Sequence, residues 1–129
     1  MAGASDYLEN ELLDHILSVG SYTAPTIYVG LYTAAPSDAG GGTEVSGGSY
    51  ARVDASSAFG AASGGSSANT GAITFPEATG SWGTVTHYGI FDASTSGNLL
   101  IWGALDASKA VASGDTVSFA IGDLTITLD

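Results

Sequence analysis

The side chains that could carry catalytic chemistry are two histidines and thirteen carboxylates, in a chain without cysteine. His15 falls near the end of a predicted helix, where an imidazole lies favourably beside the negative end of the helix dipole. His87 falls in a predicted strand with Trp82 and Tyr88, and no cysteine or second nearby histidine completes a metal set. We therefore expect both histidines to have structural roles.

The carboxylates show no spacing that identifies an active site or a metal site. A glycosidase needs two carboxyl groups about 5–9 Å apart in a groove that holds sugar, and no acid here lies in a distinctive local motif. The loop acids could share a calcium ion, but the spacing of an EF-hand is absent. The sequence predicts a protein that is not an enzyme and has no cofactor or metal site.

Arginine and the tyrosines are the candidates for contact with another protein. Arg52 is one of only two basic residues, and its guanidinium can pair bidentately with an acid of the same subunit or of a neighbour. We favour internal pairing and expect Arg52 to be at least partly buried and hydrogen-bonded. Tyrosine is enriched at interfaces because it joins a large ring to a polar tip. The interface candidates are Tyr28, Tyr32, Tyr50, Arg52 and Tyr88.

Trp82 and Trp102 have two interpretations. As large apolar side chains they are expected in the core. An exposed indole could instead stack on a sugar ring of a glycan, so burial of both side chains would rule out that platform. We favour the core positions.

The net charge of the chain limits the classes of partner that it can bind. Two basic residues against thirteen acidic ones give a formal net charge of -11, which disfavours nucleic acid and anionic membrane surfaces. No run of about 18 apolar residues is present, and the start of the sequence lacks the pattern of a signal peptide. We expect no nucleic-acid partner and no membrane partner.

One segment, residues 5–18, has the pattern of an amphipathic helix. Ser5 or Asp6 can cap its first turn, and Gly20 ends it. Its apolar side chains recur at helical spacing. They are Leu8, Leu12, Leu13, Ile16 and Leu17.

From Pro25 onward the period changes to two, which is typical of strands. Tyr28 and Tyr32 fall on the strand face opposite the aliphatic side chains. Short strands joined by glycine-rich turns predict one domain over 1–129, with an antiparallel β-sandwich or small barrel at about 26–128. The aliphatic and aromatic residues predicted to be buried are Ile27, Val29, Leu31, Ile101, Phe119, Ile126 and Leu128.

The other strands are less regular in the sequence. Further strands are predicted around 49–59, 73–75, 82–91, 99–102 and between 114 and 128. The stretch 60–71 reads as a low-complexity linker with room for a short edge strand.

Five segments cover most of the chain. They are SDYLENELLDHIL, YVGLYTAAPSDAGGGTEVSGGSYAR, GAASGGSSANTGAITFPEATGSWGTVTHYGIFDA, GNLLIWGAL and SGDTVSFAIGDLTITLD. Together they resemble a widespread group of small tailed-phage virion proteins, commonly labelled tail-fibre or phage structural proteins. The resemblance implies a non-enzymatic virion protein that is made in the host cytoplasm, and it carries no catalytic motif.

Two positions in the virion are open. The small, acidic chain without a long rod segment favours a capsid decoration or cement protein on the capsid surface or at a vertex. The alternative is a tail-fibre, spike-base or tail-tip component involved in host attachment, and a glycan-binding module is less favoured. Low charge density and surplus tyrosine predict a homo-oligomer, with a trimer as first choice, docked on the major capsid protein or a fibre.

Overall fold

The computed structural model describes residues 3–128 and shows a mainly β fold with one helix near the start. Residues 1, 2 and 129, the ends of the predicted domain, lie outside the described part. The helix is α1, Asp6–Ile16. The strands are β1 (Gly3–Ala4), β2 (Tyr28–Ala34), β3 (Thr43–Glu44), β4 (Val53–Asp54), β5 (Ser66–Ala68), β6 (Ile73–Thr74), β7 (Gly83–Phe91), β8 (Leu99–Val111), β9 (Ser118–Phe119) and β10 (Thr125–Thr127).

Helix α1 begins at a serine cap that also ties it to the sheet. The Ser5 hydroxyl accepts a hydrogen bond from the Leu8 amide at 3.2 Å, which satisfies one of the free amides of the first turn. The same hydroxyl donates to the Leu99 carbonyl at 2.5 Å. The helix ends at Ile16, two residues before the predicted end, and Ser18 then adopts a positive φ of 62°. Among the described residues, no helix is long and apolar enough to cross a membrane.

A six-stranded antiparallel sheet forms the larger layer. Its order is β1-β8-β7-β2-β3, and β4 also pairs with β2. Strands β3 and β4 share one edge of β2, because β3 pairs near Tyr32 and β4 pairs at Tyr28 and Val29. Two small antiparallel sheets, β5 with β10 and β6 with β9, complete the described strands.

The core lies between the large sheet and the two small sheets. Val29, Leu31 and Val85 point from the large sheet into one cluster with Ile73 and Leu124 of the opposite layer. This arrangement confirms the predicted antiparallel sandwich, and the alternative of a closed barrel is not observed.

One of the predicted core residues is exposed. Val29 and Leu31 are fully buried, whereas Leu128 keeps 47% of its surface accessible. Burial falls steadily along one side of the segment 124–128, which contains β10, from Leu124 to half-buried Ile126 to Leu128. The strand therefore runs past the edge of the core, so alternation alone overestimated the burial of Leu128. The other four predicted residues, Ile27, Ile101, Phe119 and Ile126, are partly buried against the core.

Two strand predictions also differ in length. The strand predicted at 99–102 continues to Val111 as β8, because β7 offers a pairing edge as far as Gly83. The strand predicted at 49–59 shortens to Val53–Asp54, since residues 50–52 follow a turn without strand pairing, and from there Tyr50 bonds Leu31 and Arg52 bonds Glu44.

Candidate functional site

A cluster of interacting aromatic and charged side chains lies on the face of the large sheet away from the core and at the edge of β2, where one ring, that of Tyr50, also packs against the core. We call it the Arg52 cluster and define it as Tyr32, Glu44, Tyr50, Arg52 and Phe91. Backbone pairing brings its parts together, because Tyr32 on β2 lies opposite Glu44 on β3. Tyr28, at the other end of β2, lies opposite Phe91 on β7.

The guanidinium of Arg52 contacts four residues of the protein. Its Nε and Nη2 atoms donate to the two carboxylate oxygens of Glu44, each at 2.8 Å. Its Nη1 atom donates to the carbonyls of Ala93 and Ser96, also at 2.8 Å. The central carbon lies 3.5 Å from the centroid of the Phe91 ring, in a cation–π contact. The side chain is only 8% exposed. The internal pairing favoured by the sequence is therefore the one observed.

Charge neutralisation by Glu44 makes this burial tolerable. Burial alone would favour the neutral form of Arg52, but the hydrogen-bonded carboxylate of Glu44 outweighs it and raises the pKa of the guanidinium. Both Glu44 oxygens are occupied by Arg52, and one of them is shared with Tyr50. The pair thus ties β3 to the loop between β7 and β8.

Tyr50 closes a gap in the backbone pairing of β2. Between β3 and β4, the amide of Leu31 has no strand partner, and it donates instead to the Tyr50 hydroxyl at 2.9 Å. That hydroxyl donates to Glu44 Oε2 at 2.6 Å. The ring packs edge-on against Trp82, with centroids 5.3 Å apart. Burial and the hydrogen bond to Glu44 raise the pKa of Tyr50, which keeps its hydroxyl protonated as a donor.

Two glycines leave the space that the cluster occupies. A Cβ atom at Gly30 would lie 2.8 Å from Glu44 Oε2 and 2.9 Å from the Phe91 ring. A Cβ atom at Gly89 would lie 2.8 Å from the Tyr32 ring. Neither contact is compatible with a side chain at these positions unless the cluster shifts.

A cleft of about 640 Å³ opens beside the cluster. The start of α1, the glycine-rich loop 38–42 and the loop 96–99 form its walls, and Tyr32 and Phe91 lie at its base. Burial, and then the nearby charge of Glu44, raise the pKa of Tyr32 to about 12. At one wall, Asp38 Oδ1 accepts a hydrogen bond from Trp102 Nε1 at 2.9 Å.

Both tryptophans are buried, Trp82 in the core and Trp102 on the face of the large sheet away from the core, so the predicted core position is correct for Trp82 and wrong for Trp102. Trp82 and Trp102 are 4% and 6% exposed. Their indole N–H groups donate to the Gly48 carbonyl and to Asp38. The hypothesis that these two side chains form a stacking platform for sugars is therefore wrong.

The two histidines lie on different elements and each has a local partner. His15 Nδ1 accepts a hydrogen bond from the Tyr22 amide at 3.2 Å, which fixes the chain as it leaves α1. His87 Nδ1 lies 2.8 Å from the Thr86 hydroxyl, and partial burial lowers the pKa of the imidazole. Within residues 3–128, no three His, Asp or Glu side chains are grouped to hold a metal ion.

The five interface candidates fall on both faces of the large sheet. Tyr32, Tyr50 and Arg52 belong to the Arg52 cluster, and half-buried Tyr28 lies on the same face. Tyr88 lies on the core face, where its hydroxyl fills the space over Gly103. A role for these residues in an interface stays a prediction.

Glu44 and Phe91 are the members of the cluster that sequence reasoning missed. Asp54 is closer to Arg52 in the sequence, but its carboxylate accepts from the amide and hydroxyl of Ser56 instead. Only the pairing of β2 with β3 selects Glu44, so no local signal could have identified it.

The exposed part of α1 forms a second candidate site. Of the apolar face predicted for the helix, Leu8 is buried and Leu12 is half-buried. The remaining side chains point to solvent together with a valine that follows the helix. We call this set the helix-end surface, and it consists of Leu13, Ile16, Leu17 and Val19.

The fold and the helix-end surface define the class of this protein, which is a sandwich-like antiparallel β protein with one exposed apolar helix end. A family model described as Podophage GP4 fiber I protein gp80 matches residues 3–127. The chain belongs to this family of tailed-phage fibre proteins. No curated protein sequence matches the chain. The family confirms the resemblance to tailed-phage virion proteins and indicates a fibre-type structural protein of the virion.

Proposed function

We propose that this protein is a non-enzymatic component of a phage tail fibre, present in several copies and attached to another virion protein. The observation that carries the proposal is the family match over residues 3–127, whose description names a fibre protein. The helix-end surface supports it, because a large exposed apolar area on a folded protein marks a contact with other protein.

The chemistry of the Arg52 cluster supports a structural role for it. Glu44, Arg52 and Tyr50 satisfy one another through hydrogen bonds of 2.6–2.8 Å. A general acid or base needs a proton-transfer group that can reach a substrate. These groups are engaged in holding β2, β3 and the loop 92–98 together.

Capsid decoration is the second candidate, and one observation favours it. Residues 3–128 form one sandwich, without the repeated elongated segment that a fibre shaft needs. A fibre component of this form would be a base, a joint or a tip rather than a shaft. The two candidates differ in how many copies a particle contains.

The test is to count and locate the protein in purified virions. Quantitative mass spectrometry against the major capsid protein gives the copy number, and cryo-electron microscopy of particles labelled with a specific antibody fragment gives the position. We expect a small copy number and label at the tail. Hundreds of copies spread over the capsid would replace the fibre proposal with decoration, and absence from purified particles would overturn both.

A further inference from the structure

The helix-end surface is apolar, and none of residues 3–128 covers it. Ile16 and Val19 are 74% and 76% exposed. Leu13 and Ile16 continue the apolar side of α1 that Leu8 begins, so the pattern is that of a helix packed along its whole length. Within residues 3–128, the sandwich covers only the first part of that side.

An apolar groove lies beside the first part of α1, where Leu8 lines it. It encloses about 270 Å³ between the helix, the segment after it and the small β5–β10 sheet. Its lining contains no acidic or basic side chain. The main lining residues are Leu8, Tyr22, Ile27, Phe59 and Ile126. The groove and the helix-end surface are therefore neighbouring apolar features of unlike shape, one concave and one projecting.

The distribution of charge indicates what covers these features. The chain carries a net charge of -11, yet residues 15–37, which supply three of the four residues of the helix-end surface, contain no Asp, Glu, Lys or Arg. The ten residues that line the groove are also uncharged. A basic partner would gain from contact with the acidic surface elsewhere. A second copy would be repelled there, and can approach closely only where acids are absent. The uncharged region thus favours a second copy as the occupant.

We propose that the helix-end surface of one copy packs into the apolar groove of another copy. The inference rests on the proposed function in that a fibre component acts in several copies. It names the surface through which those copies meet. The contact buries Ile16, Leu17 and Val19 against uncharged side chains and separates the acidic surfaces of the two copies.

The first test is sedimentation of the purified full chain over a range of concentrations. The double variant Ile16→Ser/Val19→Ser removes two apolar side chains from the contact, and we expect its dissociation constant to rise by about tenfold or more. Both residues are exposed in the subunit, so circular dichroism should be unchanged. The matched control is Ile121→Ser, which alters an equally exposed isoleucine in the turn after β9 and should associate normally.

The effect of salt on association distinguishes between a second copy and a basic partner as the occupant of the groove. Screening of the repulsion between copies should tighten self-association between about 0.05 M and about 0.5 M sodium chloride. Weakening by salt would overturn the proposal, because it would mean that attraction between opposite charges holds the contact.

Cross-linking tests which surfaces meet. Because the chain has no cysteine, Val19→Cys and Pro25→Cys each carry one thiol, and a disulfide in their mixture can form only between copies. We expect more mixed disulfide from Val19→Cys with Pro25→Cys than from the control mixture of Ile121→Cys with Pro25→Cys. A wild-type protein that stays monomeric at every concentration and salt, or equal cross-linking in both mixtures, would overturn the proposed contact. The copy number and position in virions would still test the fibre function separately.

Discussion

Arg52 connects three segments that are far apart in the sequence. Its guanidinium binds Glu44 of β3, two carbonyls of the loop 92–98 and the ring of Phe91 at the end of β7. In a chain with two basic residues, this one neutralises a carboxylate inside the fold instead of facing the solvent. The energetic consequence is asymmetric, because loss of either partner leaves the other charge without compensation.

Replacement of Arg52 by alanine should therefore destabilise the fold. We expect Arg52→Ala to lower the free energy of unfolding by about 2–4 kcal/mol, measured by urea denaturation, since Glu44 loses its bidentate partner. The control is Lys109→Ala, an exposed site that should change stability by less than about 0.5 kcal/mol. A loss of that small size in Arg52→Ala would contradict the role given to the cluster.

Two tyrosines provide a matched comparison of hydroxyl groups. The Tyr50 hydroxyl bonds Leu31 and Glu44, whereas the buried Tyr22 hydroxyl has no hydrogen-bond partner among the described residues. Tyr50→Phe should lower the free energy of unfolding by about 1–3 kcal/mol, because it strands a buried amide. Tyr22→Phe should leave stability unchanged or raise it. Equal losses in the two variants, measured by the same denaturation, would show that the hydrogen bonds of Tyr50 contribute nothing specific.

At the scale of elements, the helix and strands that depend on a local sequence pattern could be predicted from the sequence. The apolar period and the cap at Ser5 predicted α1, and alternation predicted β2 with its two unlike faces. The linker-like stretch 60–71 does contain the short edge strand that its composition allowed, Ser66–Ala68, because small side chains still permit pairing with β10.

Long-range pairing determines what the sequence did not predict. The second half of β8, up to Val111, has little apolar alternation, and it is a strand because β7 pairs with it. The choice of Glu44 over Asp54 as the partner of Arg52 depends on the register of β3 against β2. The exposure of Ile16 could not be read from an amphipathic pattern, which shows where an apolar face lies and not whether the same chain covers it.

The close packing on β7 gives a prediction for the sheet. Gly89→Ala would place a Cβ atom 2.8 Å from the Tyr32 ring and 2.9 Å from Leu99. We expect this variant to lower the free energy of unfolding by about 1–3 kcal/mol in urea denaturation, because the central strands must separate or the rings must turn. Gly71→Ala is the control, since its added methyl group meets no atom within 4 Å. A Gly89→Ala protein as stable as that control would mean that the face tolerates a side chain there.

At the scale of the whole molecule, negative charge dominates. The protein has thirteen acids and two basic residues, and one of those basic residues is neutralised by Glu44. The other acids must therefore repel one another across the surface of a compact subunit. This repulsion favours expanded states and opposes close contact between copies, and it weakens as salt shortens the screening length.

Removal of exposed acids should accordingly stabilise the subunit at low ionic strength. In the Ile16→Ser/Val19→Ser background, which we expect to be monomeric, Glu77→Gln/Asp106→Asn changes the formal net charge from -11 to -9. We expect a gain of about 0.5 kcal/mol or less in the free energy of unfolding at about 0.01 M salt, and no gain at about 1 M salt. Comparing variants at each salt cancels the general effect of salt on apolar burial. Lys109→Gln is the control of opposite sign, since it makes the charge -12 and should destabilise at low salt. Gains in both variants, or a gain that persists at high salt, would show that the altered side chains act through local contacts and not through net charge.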